Sequence, residues 1–272
     1  MPTRAGPVVA ARSVPAGRGW QWIVDAWTLT AGYRPVFLGL TAAVVALAGV
    51  ADMVPLIGPF AAALMTPILI AGLVIGSDAL RRGEPLTVEH LFAGFKQQTP
   101  KLLALGVGFA VASVLFAAIG DWIVGPEDIG TLIESLPNIL LGGAAPDLLH
   151  IQDVLVRSLL ATLVVLTLSL PLFMALWFAI PLVTLRGLDA LPAMKLGFMA
   201  SADNTLPFLV WSVPPLVLTI VILAPFMVGI ATRSVLLGLL AVPLLLIDFL
   251  LLAALTFVSI YTSYRDVFPL GE

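Results

Sequence analysis

The chain has 272 residues, 60% of them hydrophobic and 11% charged, with a formal net charge of −3 and no cysteine. A soluble domain carries about 25% charged residues, so there is too little charge here to coat a surface facing water, and a bilayer removes that need. The small charge gives no sign of a nucleic-acid partner, and the lack of cysteine excludes disulfides, thiolate metal ligands and cysteine nucleophiles.

Residues 1–19, MPTRAGPVVAARSVPAGRG, hold no apolar run long enough for the core of a signal peptide, which needs roughly 7–15 residues. They are expected to form a disordered N-terminal tail. The stretch WQWIVDAWTLTAGYRPVFLGL follows, with Trp20, Ile23, Val24 and Trp27 at i, i+3, i+4 and i+7. That spacing places them on one helical face, and the accompanying charges suit a helix lying in the membrane interface.

A spanning helix needs about 20 mostly apolar residues, and the first such segment is 35–52. Asp52, Pro55, Gly58 and Pro59 signal a tight turn into the second, 56–77. A second amphipathic stretch, VEHLFAGFKQQTPKLLALG, has Val88, Leu91, Phe92 and Phe95 at the same spacing. The third span is 102–124, closed by Asp121 and Trp122, with Trp122 expected as an anchor at the outer interface. The connection 125–153 carries Glu127, Asp128, Glu134, Asp147 and Asp153, no base, and an apolar run at 136–145 too short to cross. The fourth span is 154–185, with Pro171 and Pro181. A third amphipathic stretch places Leu191, Met194 and Phe198 at i, i+3 and i+7, and Trp20, Trp27, Phe92, Phe95 and Phe198 are expected as the interfacial anchors of the three stretches. The fifth span, 207–230, holds Pro214, Pro215 and Pro225, and Trp211 is expected to anchor its inner end. The sixth is 234–261, and 265–272 forms a C-terminal tail.

The fold class is thus an all-α integral membrane protein: one domain over 20–264, with six transmembrane helices and three interfacial helices. Pro35, Pro100 and Pro207 each open a span, where a missing N–H costs nothing. Three units of interfacial helix plus hairpin, at about 20–78, 86–186 and 189–264, suggest a threefold repeat, although any six-span chain with short inner connections shares the layout. With the N-terminus inside, eleven Lys and Arg residues fall on the inner side against only Arg157 and Arg233 on the outer. The positive-inside rule then puts both termini in the cytoplasm.

Helices in lipid associate through small residues and interhelical hydrogen bonds. Gly106, Ala110, Ser113, Ala117 and Gly120 form a small seam along the third span. Gly72 and Gly76 form one on the second, and Gly39, Ala42, Ala46 and Gly49 form one on the first. Packing inside the bundle is the expected use, with a homo-oligomer contact left open. Pro171, Pro215, Pro225 and Pro243 free the carbonyls of Thr167, Trp211, Val221 and Leu239, which then need donors from elsewhere.

The candidate functional residue is Asp248, alone in LLLIDFLLLAAL at the middle of the sixth span. An Asp there costs about 2.5–3.5 kcal/mol and each Leu returns about 0.3–0.6. The span's eleven leucines outweigh the penalty, but the carboxyl must still face a partner. At 100° per residue, Ala241 and Ser259 share its face, with Ser263, Thr256 and Gly238 at its flanks. Three readings stand. Asp248 is a neutral acid bonded to a freed carbonyl or to Thr162, Thr167 or Ser169; or a proton or cation site; or the partner of Arg157 or Arg233. The first is preferred. His90 and His150 read as solvated surface groups. There is no G-x-S-x-G, P-loop, G-x-G-x-x-G or H-E-x-x-H motif, and hence no expected cofactor or metal.

The stretch 173–211, with its aromatic-rich run before Ala179 and Pro181, then Gly187, Pro192, Ala193, Met194 and Asn204, resembles an uncharacterised family of bacterial six-helix inner-membrane proteins. Gly19, Trp20 and Trp22 fit as well. That family is similar in layout to the membrane domain of some glycerophosphodiester phosphodiesterases, whose soluble catalytic domain has no counterpart here. The resemblance implies fold and a bacterial inner-membrane location, and no activity. The expected function is a non-enzymatic accessory or scaffold for lipids and other membrane proteins. The alternative is a transporter or channel for a small solute, ion or lipid, with Asp248 as its coupling residue.

Overall fold

The structure is a computed structural model describing residues 10–54, 57–125, 130, 148–232 and 235–269. The elements in chain order are α1 (Arg18–Leu29), α2 (Arg34–Asp52), α3 (Gly58–Arg81), a 3₁₀ helix (Val88–Phe95), α4 (Thr99–Val124), α5 (Leu148–Arg186), α6 (Ala190–Asp203), α7 (Thr205–Ala231) and α8 (Val235–Val267). Six of them, α2, α3, α4, α5, α7 and α8, contain segments long and apolar enough to cross a membrane. The acidic connection 126–147, its residue 130 excepted, and Arg233 lie outside the described residues, as do 1–9, 55–56 and 270–272.

Prolines shape these helices without ending them. Pro67 lies inside α3, Pro171 and Pro181 inside α5, Pro214, Pro215 and Pro225 inside α7, and Pro243 inside α8. Thr167 and Ser169 turn their hydroxyls back to Leu163 O at 2.7 Å and Leu166 O at 3.0 Å.

α1, the 3₁₀ helix and α6 precede spans of like direction and share one end of the bundle. Arg12, Arg18, Arg81, Lys101, Arg186 and Arg265 also lie there, so it is the basic end. Each short element presents a small-residue or Trp face to the spans. In α1 that face is Gly19, Trp22 and Ala26, while Trp20, Val24 and Trp27 are exposed. In α6 it is Ala193, Gly197, Ala200 and Ser201, while Leu191 and Phe198 are exposed.

The second stretch differs from the expected α-helix. At three residues per turn, Leu91 and Gly94 share the inward, buried face and Phe92 and Phe95 the exposed one, while Val88, at the first position, is also exposed. The reason is close packing on α3: a Cβ on Gly94 would lie 2.1 Å from Ile68 O, and one on Gly72 would lie 2.4 Å from His90 O. His90 is half-buried at the surface, and the side chain of His150 lies outside the described residues. The backbone N–H of Thr87 donates to His90 Nδ1 at 3.1 Å, closing a capping box.

The α4 seam packs as expected at Gly106 and Ala110, while Ser113 and Gly120 are half-buried and Ala117 is exposed. A Cβ on Gly106 would meet Leu64 O at 2.4 Å, Ala110 is fully buried, and Gly120 faces Val165 of α5. The α2 seam does not. Gly39 and Gly49 have nothing near a would-be Cβ, and α2 buries Phe37, Leu40, Thr41 and Val44 instead. Four side chains of a larger, continuous stripe outweigh the small one, so Gly39, Ala46 and Gly49 are left on the outside.

Both expected tails are partly built into the bundle. α8 runs to Val267, and Val267 and Phe268 are fully buried. Upstream of α1, the Arg12 N–H donates to Val267 O at 2.9 Å. The Val14 N–H donates to Asn204 Oδ1 at 2.8 Å, and Asn204 Nδ2 donates to Arg12 O at 3.1 Å. Asn204 is fully buried, so its amide is spent clamping the chain's beginning to the α6–α7 corner.

Candidate functional site

Asp248 is only 3% exposed although Ile247 and Phe249 on either side are open. Its face is the buried one expected from the 100° wheel: Ser259 and Ser263 are fully buried, and the surroundings of Gly238 and Ala241 lie outside the described residues. The partner differs from those expected. Thr219 Oγ1 of α7 donates to Asp248 Oδ2 at 3.1 Å. Thr162 bonds Ser158 O within α5 at 2.8 Å, and Arg157 pairs with Asp153 one turn away; neither is the partner of Asp248. Helix α7 neighbours α8 in sequence and in space, and Thr219 is the hydroxyl at matching depth. Asp248 Oδ1 is enclosed and accepts no hydrogen bond among the described residues.

The pair ties α7 to α8. Thr219→Val should cost about 0.6 kcal/mol and no more than about 1.7, the range of interhelical bonds in bilayers. Unfolding of the micellar protein in a denaturing detergent series measures it. A loss well above that range would show Asp248 to depend on Thr219 for more than one bond.

The expected anchors divide into two groups. Trp20, Trp27, Phe92, Phe95, Phe198 and Trp122 are exposed, Trp122 most of all at 85%. Trp211 is half-buried and belongs to an aromatic cluster: its ring lies 4.9 Å from Trp177, which lies 5.2 Å from Phe208, and Phe208 lies 5.3 Å from Trp22. Edge-on contacts of this kind add roughly 0.5–1.5 kcal/mol each beyond area burial. Trp177 also donates its Nε1–H to Ser263 Oγ at 2.8 Å.

Below this cluster lies a polar knot centred on Asp266, a residue of the expected C-terminal tail. Asp266 Oδ2 accepts from Arg18 Nε at 2.7 Å and from Trp22 Nε1 at 2.9 Å, while Oδ1 accepts from Arg12 Nη2 at 3.0 Å. Arg12 Nε donates to the Asp266 carbonyl at 2.7 Å, and Thr262 Oγ1 donates to Trp22 O at 3.0 Å. A second acid, Asp78, accepts from Tyr261 OH at 2.7 Å and pairs with Arg82. Arg82 also bonds Glu84 at 2.7 Å, and that bond holds the Glu84 carboxyl below the usual carboxylate range. The signal available in sequence was an acid among arginines: Asp78 and Asp266 both sit at the end otherwise rich in Arg.

Two clefts flank the C-terminal half of α1. The first, of about 370 Å³, is lined by Arg12, Arg18, Arg81 and Arg265 with Asp25 and Asp266. The second, of about 290 Å³, is almost wholly apolar and runs between α1–α2 and α7–α8 from Trp27, Thr30 and Arg34 down to Leu218, Leu251 and Leu252. Its deep end lies one helical turn from Asp248. Compared with known protein families, curated proteins and solved structures, the chain shows no significant similarity to any of them.

Proposed function

We propose that the chain is a non-enzymatic, multi-pass protein of a bacterial cytoplasmic membrane, with its basic end in the cytoplasm, that serves as an accessory or scaffold for lipids and other membrane components. The observation that carries this reading is the shape of the basic end. Three short helical elements are fastened to the spans by one face, and each turns aromatic side chains outward: Trp20 and Trp27, Phe92 and Phe95, Phe198. Amphipathic segments of this kind lie in the headgroup region, where Trp side chains are enriched. The resemblance of residues 173–211 to six-helix inner-membrane proteins supports the location.

Two experiments test the reading. The chain has no native cysteine, so single cysteines report topology without background. A cysteine at Glu89 or Lys195 should be labelled only from the cytoplasm, and one at Gly130 only from outside. In mild detergent the protein should hold a membrane partner in fixed stoichiometry and release it when Trp20 and Trp27 are changed to Ala.

One observation favours transport as a second reading: the enclosed Asp248 Oδ1 has no hydrogen-bond partner among the described residues, as a carboxylate waiting for a proton or cation would. If Asp248 is structural, Asp248→Asn should keep the Thr219 bond and leave stability within about 1 kcal/mol of wild type. A pH-dependent ion flux in proteoliposomes that Asp248→Asn abolishes, with the unfolding midpoint retained, moves the conclusion to a transporter.

A further inference from the structure

The apolar groove ends at the basic end on Arg34. Its guanidinium lies 3.6 Å over the Trp27 ring, and Nη2 reaches Trp27 O at 3.3 Å. Its Nε–H is enclosed and has no acceptor, and among the described residues no carboxylate pairs with it. A guanidinium presents five donors in a planar fork that suits phosphate oxygens, so this one is under-used. Along the wall, Phe37, Leu218, Leu251 and Leu255 offer hydrocarbon only.

The neighbouring arginine cleft sets the sign of the occupant. It adjoins the groove at consecutive residues of α1, Asp25 and Ala26, again where α1 ends, at Leu29 and Thr30, and within one turn of α8, Tyr261 and Val258. Its four arginines face two aspartates, a surplus of two positive charges. Asp266 is already occupied by Arg12 and Arg18. Arg81 and Arg265 have no hydrogen bond or ion pair among the described residues.

We propose that the groove binds one anionic phospholipid, with an acyl chain between α2 and α8 and its phosphate on Arg34, drawn there by the field of Arg81 and Arg265. The inference deepens the scaffold reading, since it names a lipid that the protein holds. A zwitterionic lipid fills the same groove with hydrocarbon but gains nothing from the positive surplus. A free phosphate meets the guanidinium but leaves the groove unfilled.

The test is native mass spectrometry of the full chain in detergent, titrated separately with phosphatidylglycerol and phosphatidylcholine of identical chains. One phosphatidylglycerol should be retained at least about fivefold better than phosphatidylcholine, the increment expected from a single arginine near a membrane surface. Arg34→Gln should weaken retention of both lipids, since both carry the phosphate, and the double variant Arg81→Gln, Arg265→Gln should erase the preference between them. Leu255→Trp should weaken retention of both by filling the groove, and Ala254→Leu serves if the larger variant fails to fold. Glycerol phosphate at millimolar concentration should not displace the lipid. Equal retention of the two lipids by the wild-type protein overturns the proposal, as does unchanged retention in Arg34→Gln, an unchanged preference in the Arg81→Gln, Arg265→Gln variant, or displacement by glycerol phosphate. None of these outcomes touches the scaffold reading, which fails separately on partner capture and ion flux.

Discussion

Replacing Asp266 with alanine should loosen the whole basic end and cost about 2–3 kcal/mol. Asp266 is 8% exposed and accepts from three donors of the N-terminal segment: Arg12, Arg18 and Trp22. Removing one partner of a buried ion pair costs about 3–5 kcal/mol. Here the arginine side chains are 56% and 39% exposed, so water compensates them in part and the ionic loss falls below that range. The Trp22 indole has no such recourse. It is fully buried, and a buried donor left unmade costs about 1–3 kcal/mol. Asp25→Ala is the control, because Asp25 meets Arg18 only at 3.7 Å and is half exposed; exposed pairs contribute about 0–1 kcal/mol. Amide exchange in residues 10–17 and tryptic cleavage after Arg12 and Arg18 should rise sharply in Asp266→Ala and stay near wild type in Asp25→Ala. Equal behaviour of the two variants would show that the knot does not hold the N-terminal segment.

The six spans were legible because their signal is additive: about 20 apolar residues in a row leave few alternatives, and the structural elements fall within a few residues of the expected segments. The facing of the short elements was harder to read. In water an apolar stripe marks the side that meets the protein. Beside lipid it marks the side that meets the lipid, and small residues mark the protein side. Trp20, Val24 and Trp27 therefore form a genuine stripe that points away from the bundle, while Gly19, Trp22 and Ala26 carry the contact. The same inversion holds in α6, where Leu191 and Phe198 are outside and Ala193, Gly197 and Ala200 inside. Small residues alone were not sufficient, as the open α2 stripe shows. At the candidate site, the burial of Asp248 followed from its helical face, but its partner Thr219 depended on which helix packs beside α8. The Asp266 knot was illegible for another reason: it joins residues 254 positions apart, and no local pattern predicts a contact at that separation.

The small-residue face of α6 leads to a prediction that separates packing from helix propensity. Gly197 sits where α6 crosses α5, and an added Cβ would lie 2.3 Å from Ala175 O and 3.1 Å from Ala179 N. Both are backbone atoms of a helix, so neither can turn aside as a side chain would. One turn on, Ser201 Oγ donates to Met174 O at 2.8 Å, and any widening at Gly197 stretches that bond. Gly197→Ala should therefore destabilise by about 1–3 kcal/mol, the range for overpacking a close-fitted contact, and Gly197→Val should do worse. Gly108 on α4 is the counterpart: it is helical, exposed, and has nothing within 4 Å of a would-be Cβ. Intrinsic preference there favours alanine by about 0.8–1 kcal/mol on scales measured in water, so Gly108→Ala should be neutral or stabilising. The same chemical change thus carries opposite signs at two sites, and a denaturant series on both variants in one detergent reads the difference directly. If Gly197→Ala proves as mild as Gly108→Ala, α5 and α6 do not approach as closely as the structure places them. The clamp that Asn204 makes from the end of α6 onto the N-terminal segment would then lack its rigid base.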